Sequence, residues 1–423
     1  MTHLKAELPQ RFAFTAWPAF VAGLVWLCAF DDFGGFILAV VPGSLLLASG
    51  VSLLLWPGTA KITQLMALGG LLGVVLGIPQ LFVSGFAYGI IVIILSAVSY
   101  LCAGRAALRL AARPDDAPPA PTGWRAYAKA ALDEALMGYF VSTAQIPSGE
   151  AVRQLCAHFD QYETSIKSAA WATPSRFNPA PPAPQDASLQ AVRAGRTEGE
   201  LLSFSSGYEP PAELPSPPKW LRDPANAKCR ALVFRHPDNS AEKPWLIGIH
   251  GYRMGQDLLD AGMFPPRLFT QRMGCNLLLP VLPLHGRRKA GWRSGDHYLD
   301  GEMLDFLYAQ AQALWDLRRT VAWIRQQSPT ARIGVLGYSL GGYNTALLAA
   351  HEKGLDFAVA GIPLAEPVTL LWSVLPQPHR TFFDAQGLDP VRFRKLMKLV
   401  SPLALAPKLD KQRLAIFAGT ADR

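Results

Sequence analysis

One serine carries the chemistry that can be read from this chain. Gly337-Tyr338-Ser339-Leu340-Gly341 sets it between two glycines, after an apolar run from Ile333 to Leu336 and before a helical run from Leu340 to about His351. A serine hydroxyl is a weak nucleophile until a base takes its proton and donors receive the charge that develops on the attacked carbonyl. A strand, a sharp turn and a helix in that order make a nucleophile elbow, which lifts the hydroxyl above a sheet edge. Gly337 and Gly341 suit such a corner, because side chains there would strike the neighbouring strand and helix. The N–H of Leu340 opens the helix, where unpaired donors and the positive dipole end can hold an oxyanion. The competing reading is a structural Gly-Ser-Gly turn; the strand before and the helix after favour the nucleophile.

The elements that must position this corner begin at about Ser188, where short apolar runs start to alternate with helical spacing. Residues 200–206 and 229–235 read as the two opening strands, separated by a loop holding Pro210, Pro211, Pro215, Pro217 and Pro218. WLIGIH over 245–250 reads as a third strand and CNLLLPV over 275–281 as a fourth. A long helix over 301–327 carries Leu304, Leu307, Ala311, Leu314, Leu317 and Val321 inward. The elbow strand follows, then strands over 357–362 and 413–418. Fully apolar strands joined by helices argue a mostly parallel sheet with helices on both faces.

This order of elements, with the elbow as its most specific motif and His250-Gly251-Tyr252 after the third strand as its second, resembles the α/β-hydrolase fold over residues 188–423. The resemblance implies that the loop after the third strand supplies the second oxyanion donor, by position the N–H of Tyr252, paired with that of Leu340. It implies a loop-shaping role for His250. It also implies a triad acid in the loop after the last strand, where Gly419-Thr420-Ala421-Asp422-Arg423 stands; Asp422 would then hold and orient an imidazole. The competing reading of Asp422 is a capping residue in a surface turn. In the family the general base follows the acid. The histidines downstream of Ser339, His351 and His379, both precede Asp422. The chain therefore reads as C-terminally incomplete, a fragment or a natural truncation, inactive as written and with an exposed sheet edge. Residues 366–402 stand where the family inserts a cap. Of their large side chains, Leu370, Leu371, Trp372, Phe382, Phe383 and Leu396 among them, some must bury against the core, and the surplus suits a lid over an acyl pocket or a surface on a bilayer.

The N-terminal part has a different character. Residues 12–103 are almost continuously apolar and read as four spans, 12–30, 33–56, 62–78 and 82–103, interrupted at Asp31-Asp32, at Pro57–Lys61 and more softly at Pro79-Gln80. The last two spans are also readable as one buried hairpin or a re-entrant pair. A cleaved signal peptide fits the first span poorly, since more spans follow it. Lys5, Arg11, Lys61, Arg105, Arg109 and Arg113 all fall on one side of four spans, which puts the N-terminus and everything after Arg105 in the cytoplasm, at an inner or plasma membrane. The spans hold no Lys, Arg, Asp or Glu, which favours an anchor over a conduit. The organisation expected is a transmembrane region over 1–113, a proline-rich linker and helical connector over 114–187, and the hydrolase domain over 188–423.

A net charge of +8 and a pI near 9.3 raise nucleic acid as a partner. The basic residues are scattered without an aromatic-basic stripe, so no nucleic-acid surface is expected. The loop Leu284-His285-Gly286-Arg287-Arg288-Lys289, with Trp292 to Asp296 after it, reads either as an anion site or as an ordinary solvated loop. Five isolated cysteines argue against a disulfide framework and a zinc site. No phosphate loop, dinucleotide fingerprint or metal cluster occurs, so no cofactor is expected. The expectation is a membrane-anchored serine hydrolase acting on carboxylic esters, small or lipid-like. A serine peptidase of the same fold is a variant of it. An inactive hydrolase-fold scaffold or ligand-binding module at the membrane is the alternative of a different class.

Overall fold

The computed structural model describes residues 13–28, 30, 33–56, 59–110, 119, 121–144, 149–168, 172–212, 214, 217–238, 243–301 and 304–419. It contains two compact units, one ending at Ala144 and the other running Gln145–Ala418.

The first unit is helical: α1 (Ala13–Cys28), α2 (Phe33–Leu55), α3 (Ala60–Val83), α4 (Phe86–Leu110) and α5 (Trp124–Thr143). Of these, α2, α3 and α4 are long and apolar enough to cross a membrane. At 16 residues α1 is shorter, about 24 Å at 1.5 Å per residue. The break expected at Pro79 is absent. Pro79 lies inside α3, and the chain turns at Gly85 with φ +97°. A proline costs one N–H in a helix, and that loss is tolerated where neighbouring helices enclose the backbone. The interior is built from small residues such as Ala16, Ala19, Ala22, Ala39, Ala67 and Ala103, while Phe14, Ile37, Phe82 and Ile94 are exposed. A Cβ on Gly23 would lie 2.4 Å from the backbone N of Leu47, and one on Gly50 2.5 Å from that of Phe20, so glycine sets the helix spacing. Trp26 Nε1 donates to Ser96 Oγ at 3.0 Å. Lys5, Arg11, Asp31, Asp32, Arg113 and the first residues of the 115–122 linker lie outside the described residues.

The chain over 123–170 forms α5 and α6 (Gly149–Ser168), one in each unit, and the short α7 (Pro174–Phe177) follows. In α5 the small residues pack inward and several large apolar ones do not. Ala130, Ala131, Ala135 and Gly138 are buried, whereas Leu132, Leu136 and Tyr139 are exposed.

The second unit holds one eight-stranded sheet in the order β1-β2-β3-β5-β4-β6-β7-β8. The strands are β1 (Ser188–Ala194), β2 (Thr197–Ser205), β3 (Lys228–Phe234), β4 (Trp245–Ile249), β5 (Asn276–Val281), β6 (Ile333–Tyr338), β7 (Phe357–Gly361) and β8 (Leu414–Phe417). The sheet opens on an antiparallel hairpin, β1 with β2, so one strand precedes the two expected. β2–β3 and β3–β5 are antiparallel, and β5, β4, β6, β7 and β8 run parallel. Every residue of β4 and β5 is buried. Alternate residues feed two cores. Ile247, Ile249, Leu278, Ile333 and Val335 pack with α6, α9 (Asp305–Gln327) and α10 (Leu340–His351). Leu246, Leu277 and Leu279 pack with Phe264, which closes α8 (Asp257–Met263), and with Phe269. Side chains that alternate across a strand require both faces to be covered.

The cap segment forms α11 (Pro367–Val374), α12 (Gln377–Ala385) and α13 (Pro390–Met397). Part of it packs inward, with Phe383, Phe393, Leu396, Met397, Leu399 and Val400 buried in the same core as α6 and α10, whereas Leu370, Leu371, Trp372 and Phe382 are half-buried. Arg392 pairs with Glu163 of α6 at 2.9 Å, and Tyr343 donates to the Val400 carbonyl at 2.7 Å. A mostly parallel sheet, antiparallel at one end, covered by helices and turning at a glycine-flanked serine, is the α/β-hydrolase fold. An all-helical apolar region precedes it.

Candidate active site

The serine corner has the geometry its residues imply. β6 lies between β4 and β7, and Ser339 follows its last residue and caps α10. Its backbone has φ 56° and ψ −115°, a left-handed conformation that costs a non-glycine residue on the order of 1–3 kcal/mol. Neighbours hold it there. The Ser339 N–H donates to the Gly361 carbonyl at 3.0 Å, and its own carbonyl accepts from Tyr343 N–H at 3.0 Å and Leu364 N–H at 3.2 Å. A Cβ on Gly337 would lie 2.2 Å from the Gly341 carbonyl oxygen, and one on Gly341 would lie 2.0 Å from that of Ile249. Neither position admits a side chain.

The loop after β4 lies against this corner. A Cβ on Gly251 would sit 3.8 Å from the Ser339 Cβ and 3.5 Å from the Tyr338 carbonyl. Tyr252, half-buried, is the next residue, so the structure brings together Ser339, Leu340 at the opening of α10, and the Gly251-Tyr252 turn. His250 is buried. Its Nε2 accepts the Leu282 N–H at 3.1 Å, so Nδ1 carries the proton and donates to the Gly251 carbonyl at 2.8 Å. Both nitrogens are therefore committed to shaping the loop.

Sequence reasoning missed the brace behind this loop. Arg253, at φ 63°, reaches Asp296 and Asp300, each at 2.7 Å, and all three side chains are at most 7% exposed. Burial opposes ionisation of Asp296, but the Arg293 N–H and the Arg253 guanidinium outweigh it and hold that carboxyl below its ordinary value. For Asp300 burial wins and the carboxyl is raised. Ser294 Oγ donates to the Met254 carbonyl and accepts the Gly286 N–H at 2.8 Å. The residue after the proposed oxyanion donor is thus pinned by a loop more than 40 residues later. No local pattern signals a pairing at that distance.

The same later loop was a candidate anion site, and the structure uses its cations internally. Arg288 is 1% exposed and pairs with Asp316 at 2.7 Å while donating to the Asn226 and Val281 carbonyls. Arg287 pairs with Asp257 at 2.6 Å, and Lys289 donates to the Trp292 carbonyl at 2.9 Å. His285 is buried between the rings of His250 and Tyr298, each 5.1 Å away, and burial pushes its imidazole well below the ordinary range.

His351 closes α10, one helix length from Ser339, and burial pushes its pKa down to about 4, with Arg318 and Lys408 adding to the shift. His379 lies on α12. Among the described residues, none hydrogen-bonds the Ser339 hydroxyl. Asp422 lies outside the described residues. β8, which leads to it, ends at the serine's edge of the sheet: Phe417 is in register with Gly361, and Gly361 with Tyr338. Among the described residues β8 has one strand neighbour, and its Ile416 and Phe417 are 64% and 47% exposed.

No protein-family model matches the chain. Two uncharacterized proteins from Mycobacterium tuberculosis strains are 35% identical to it over 255 residues, 59% of this chain and 59% of theirs. The chain thus spans about three fifths of the length of the curated relatives it matches. Among solved structures, an acetyl xylan esterase from Paenibacillus sp. is similar over 62% of this chain and 77% of its own, at 14% identity and a TM-score of 0.37. Acetyl xylan esterase 1 from Thermoanaerobacterium sp. is similar over 65% and 83%, at 16% identity and a TM-score of 0.37. The acylaminoacyl peptidase of Pyrococcus horikoshii is similar over 56% and 32%, at 13% identity and a TM-score of 0.31.

Proposed function

We propose that this chain is a membrane-anchored serine hydrolase that cleaves carboxylic esters, apolar or lipid-like ones included. The observation that supports it most is the backbone of Ser339, forced to positive φ between two glycines that admit no side chain and set against the His250-Gly251 loop. Strain of that kind persists where the surroundings enforce it and collects at reactive groups. Ser339 Oγ attacks the carbonyl carbon while a base takes its proton. The carbonyl oxygen gains the negative charge, which the N–H groups of Leu340 and Tyr252 receive. Collapse expels the alcohol, which takes up the proton. Water then attacks the acyl-serine by the same route and releases the acid. Asp422, which follows β8 in the sequence, is assigned as the acid that would orient an imidazole base. Acting on amides, the same groups would make a serine peptidase.

In this reading the helical unit is the anchor, with the N-terminus and the hydrolase unit cytoplasmic. Lys61, Arg105 and Arg109 gather at one end of the α3–α4 hairpin, and positive charge marks the cytoplasmic side. One observation favours the second reading, an inactive hydrolase-fold scaffold: no described residue hydrogen-bonds the Ser339 hydroxyl. A fluorophosphonate probe applied to the full chain in membranes separates the two. The enzyme reading expects an adduct on the peptide holding Ser339, lost in Ser339→Ala. A folded protein that takes no probe sinks it in favour of the scaffold. Turnover of nitrophenyl esters against peptide anilides then divides esterase from peptidase.

A further inference from the structure

α5 lies against the membrane-candidate helices in an unusual way. Close approaches of Gly70 to Tyr100, Gly73 to Ser96, Gly77 to Ile93 and Gly89 to Leu81 show that α3 and α4 run antiparallel. Lys61 therefore sits at the same end as Arg105 and Arg109. α5 meets α4 where a Cβ on Gly104 would strike the Tyr127 carbonyl, and Tyr100 donates to the Ala128 carbonyl at 2.9 Å. It meets α3 where Thr63 donates to buried Glu134 at 2.6 Å and where a Cβ on Gly138 would lie 2.8 Å from the Gln64 carbonyl. Gly104 of α4 and residues 63–64 of α3 stand at nearly one level of the hairpin, so α5 crosses it instead of running alongside.

That level is the basic end. The 24 residues of α3 and 25 of α4 extend about 36–38 Å, more than the roughly 30 Å of a hydrocarbon core. Their ends therefore reach the headgroup layer. The outward face of α5 carries Leu132, Leu136 and Tyr139, 44%, 45% and 39% exposed, with Arg125 and Lys129 on the same side and Trp124, 65% exposed, at its start. Aromatic rings, aliphatic side chains and cations together match the boundary between acyl chains and anionic headgroups.

We infer that α5 is an in-plane helix lying in the headgroup layer of the membrane, with its outward side chains seated among anionic phospholipids. The inference rests on the reading that α2, α3 and α4 span that membrane. A photoreactive benzoylphenylalanine placed in turn at 132, 136 and 94 of the full chain, reconstituted in phosphatidylcholine–phosphatidylglycerol vesicles, tests both. Ile94 is 55% exposed on α4 and reports the spanning helices alone. Lipid adducts at 94, 132 and 136 are expected, and their yield at 132 and 136 should drop in pure phosphatidylcholine or in the Arg125→Glu, Lys129→Glu double variant. Adducts at 94 combined with cross-links from 132 or 136 into residues 149–419 would assign the face to the chain's own second unit and overturn the inference. Adducts at 94 with no product at 132 and 136 would overturn it in favour of a water-facing helix. Absence of lipid adducts at 94 would remove the spanning reading, and this inference with it.

Discussion

Glycine does opposite work in the two units. In the helical bundle Gly23, Gly50, Gly70 and Gly77 let whole helices approach, and many large side chains, Phe14, Ile37, Phe82 and Ile94 among them, are turned outward while a few such as Trp26 and Met66 are buried. In the sheet unit Gly337 and Gly341 clear space for one strained residue, and the large side chains are buried. In the membrane reading proposed above, the difference follows from the solvent each surface meets. Water drives big apolar groups inward, at about 25 cal/mol per Å² buried. Lipid offers no such drive, so association depends on close backbone packing and a few hydrogen bonds such as Trp26 to Ser96. The same residue type therefore marks a seam in one unit and a strained serine corner in the other.

Four substitutions probe this contrast. The largest effect is expected from Gly341→Val, whose Cβ would meet the Ile249 carbonyl oxygen at 2.0 Å. Overpacking against fixed backbone should cost more than about 3 kcal/mol and abolish fluorophosphonate labelling; wild-type labelling would refute the packing account. Arg253→Met should come next. It strands two buried carboxylates, and breaking a buried pair costs about 3–5 kcal/mol. Denaturant melts of the purified variant measure this, and a slower labelling rate in the surviving folded fraction would tie the brace to the oxyanion loop. Acid supplies the third. His351 has its pKa lowered to about 4 against an ordinary 6.5, so the unfolded chain binds the proton first. Stability is then fully present above pH 6.5 and falls by up to about 3 kcal/mol as pH drops to 4. His351→Gln should flatten that slope; an unchanged slope would place the acid lability elsewhere. The smallest effect is expected from Gly23→Ala, which presses on the Leu47 backbone at 2.4 Å. It should loosen the bundle by about 1–3 kcal/mol in detergent melts and leave serine labelling unchanged. A loss of labelling there would mean that the two units do not fail independently.

What the sequence disclosed, and what it withheld, follows the range of the interactions. The serine corner was legible because strand, turn and helix are contiguous. β4 and β5 were legible because strands buried on both faces are apolar throughout. β1 was not, since SLQAVRA is an edge strand exposed over most of its length and lacks the alternation that marks a half-buried one. Pro79 misled because a proline is a break in water but tolerable within packed helices. Which face α5 buries was not legible for a related reason. Periodicity reports an apolar stripe, not whether protein or lipid lies beyond it, and the small residues opposite it made the protein contact. Arg253 with Asp296 and Asp300 escaped because a buried ion pair between distant loops leaves no local trace. The basic loop escaped likewise: its partners, Asp316 and Asp257, lie in other elements.

Two of the three backbone bonds that secure Ser339 come from the end of β7 and from the turn after it, through the Gly361 carbonyl and the Leu364 N–H, and the third is the first turn of α10. A conformation kept under tension by so few clamps relaxes as soon as one lets go, well before the strands themselves separate. Warming the protein should therefore silence the hydroxyl first and melt the sheet later, with reactivity recovered on cooling. The corner works as a cocked spring whose catch is the neighbouring strand.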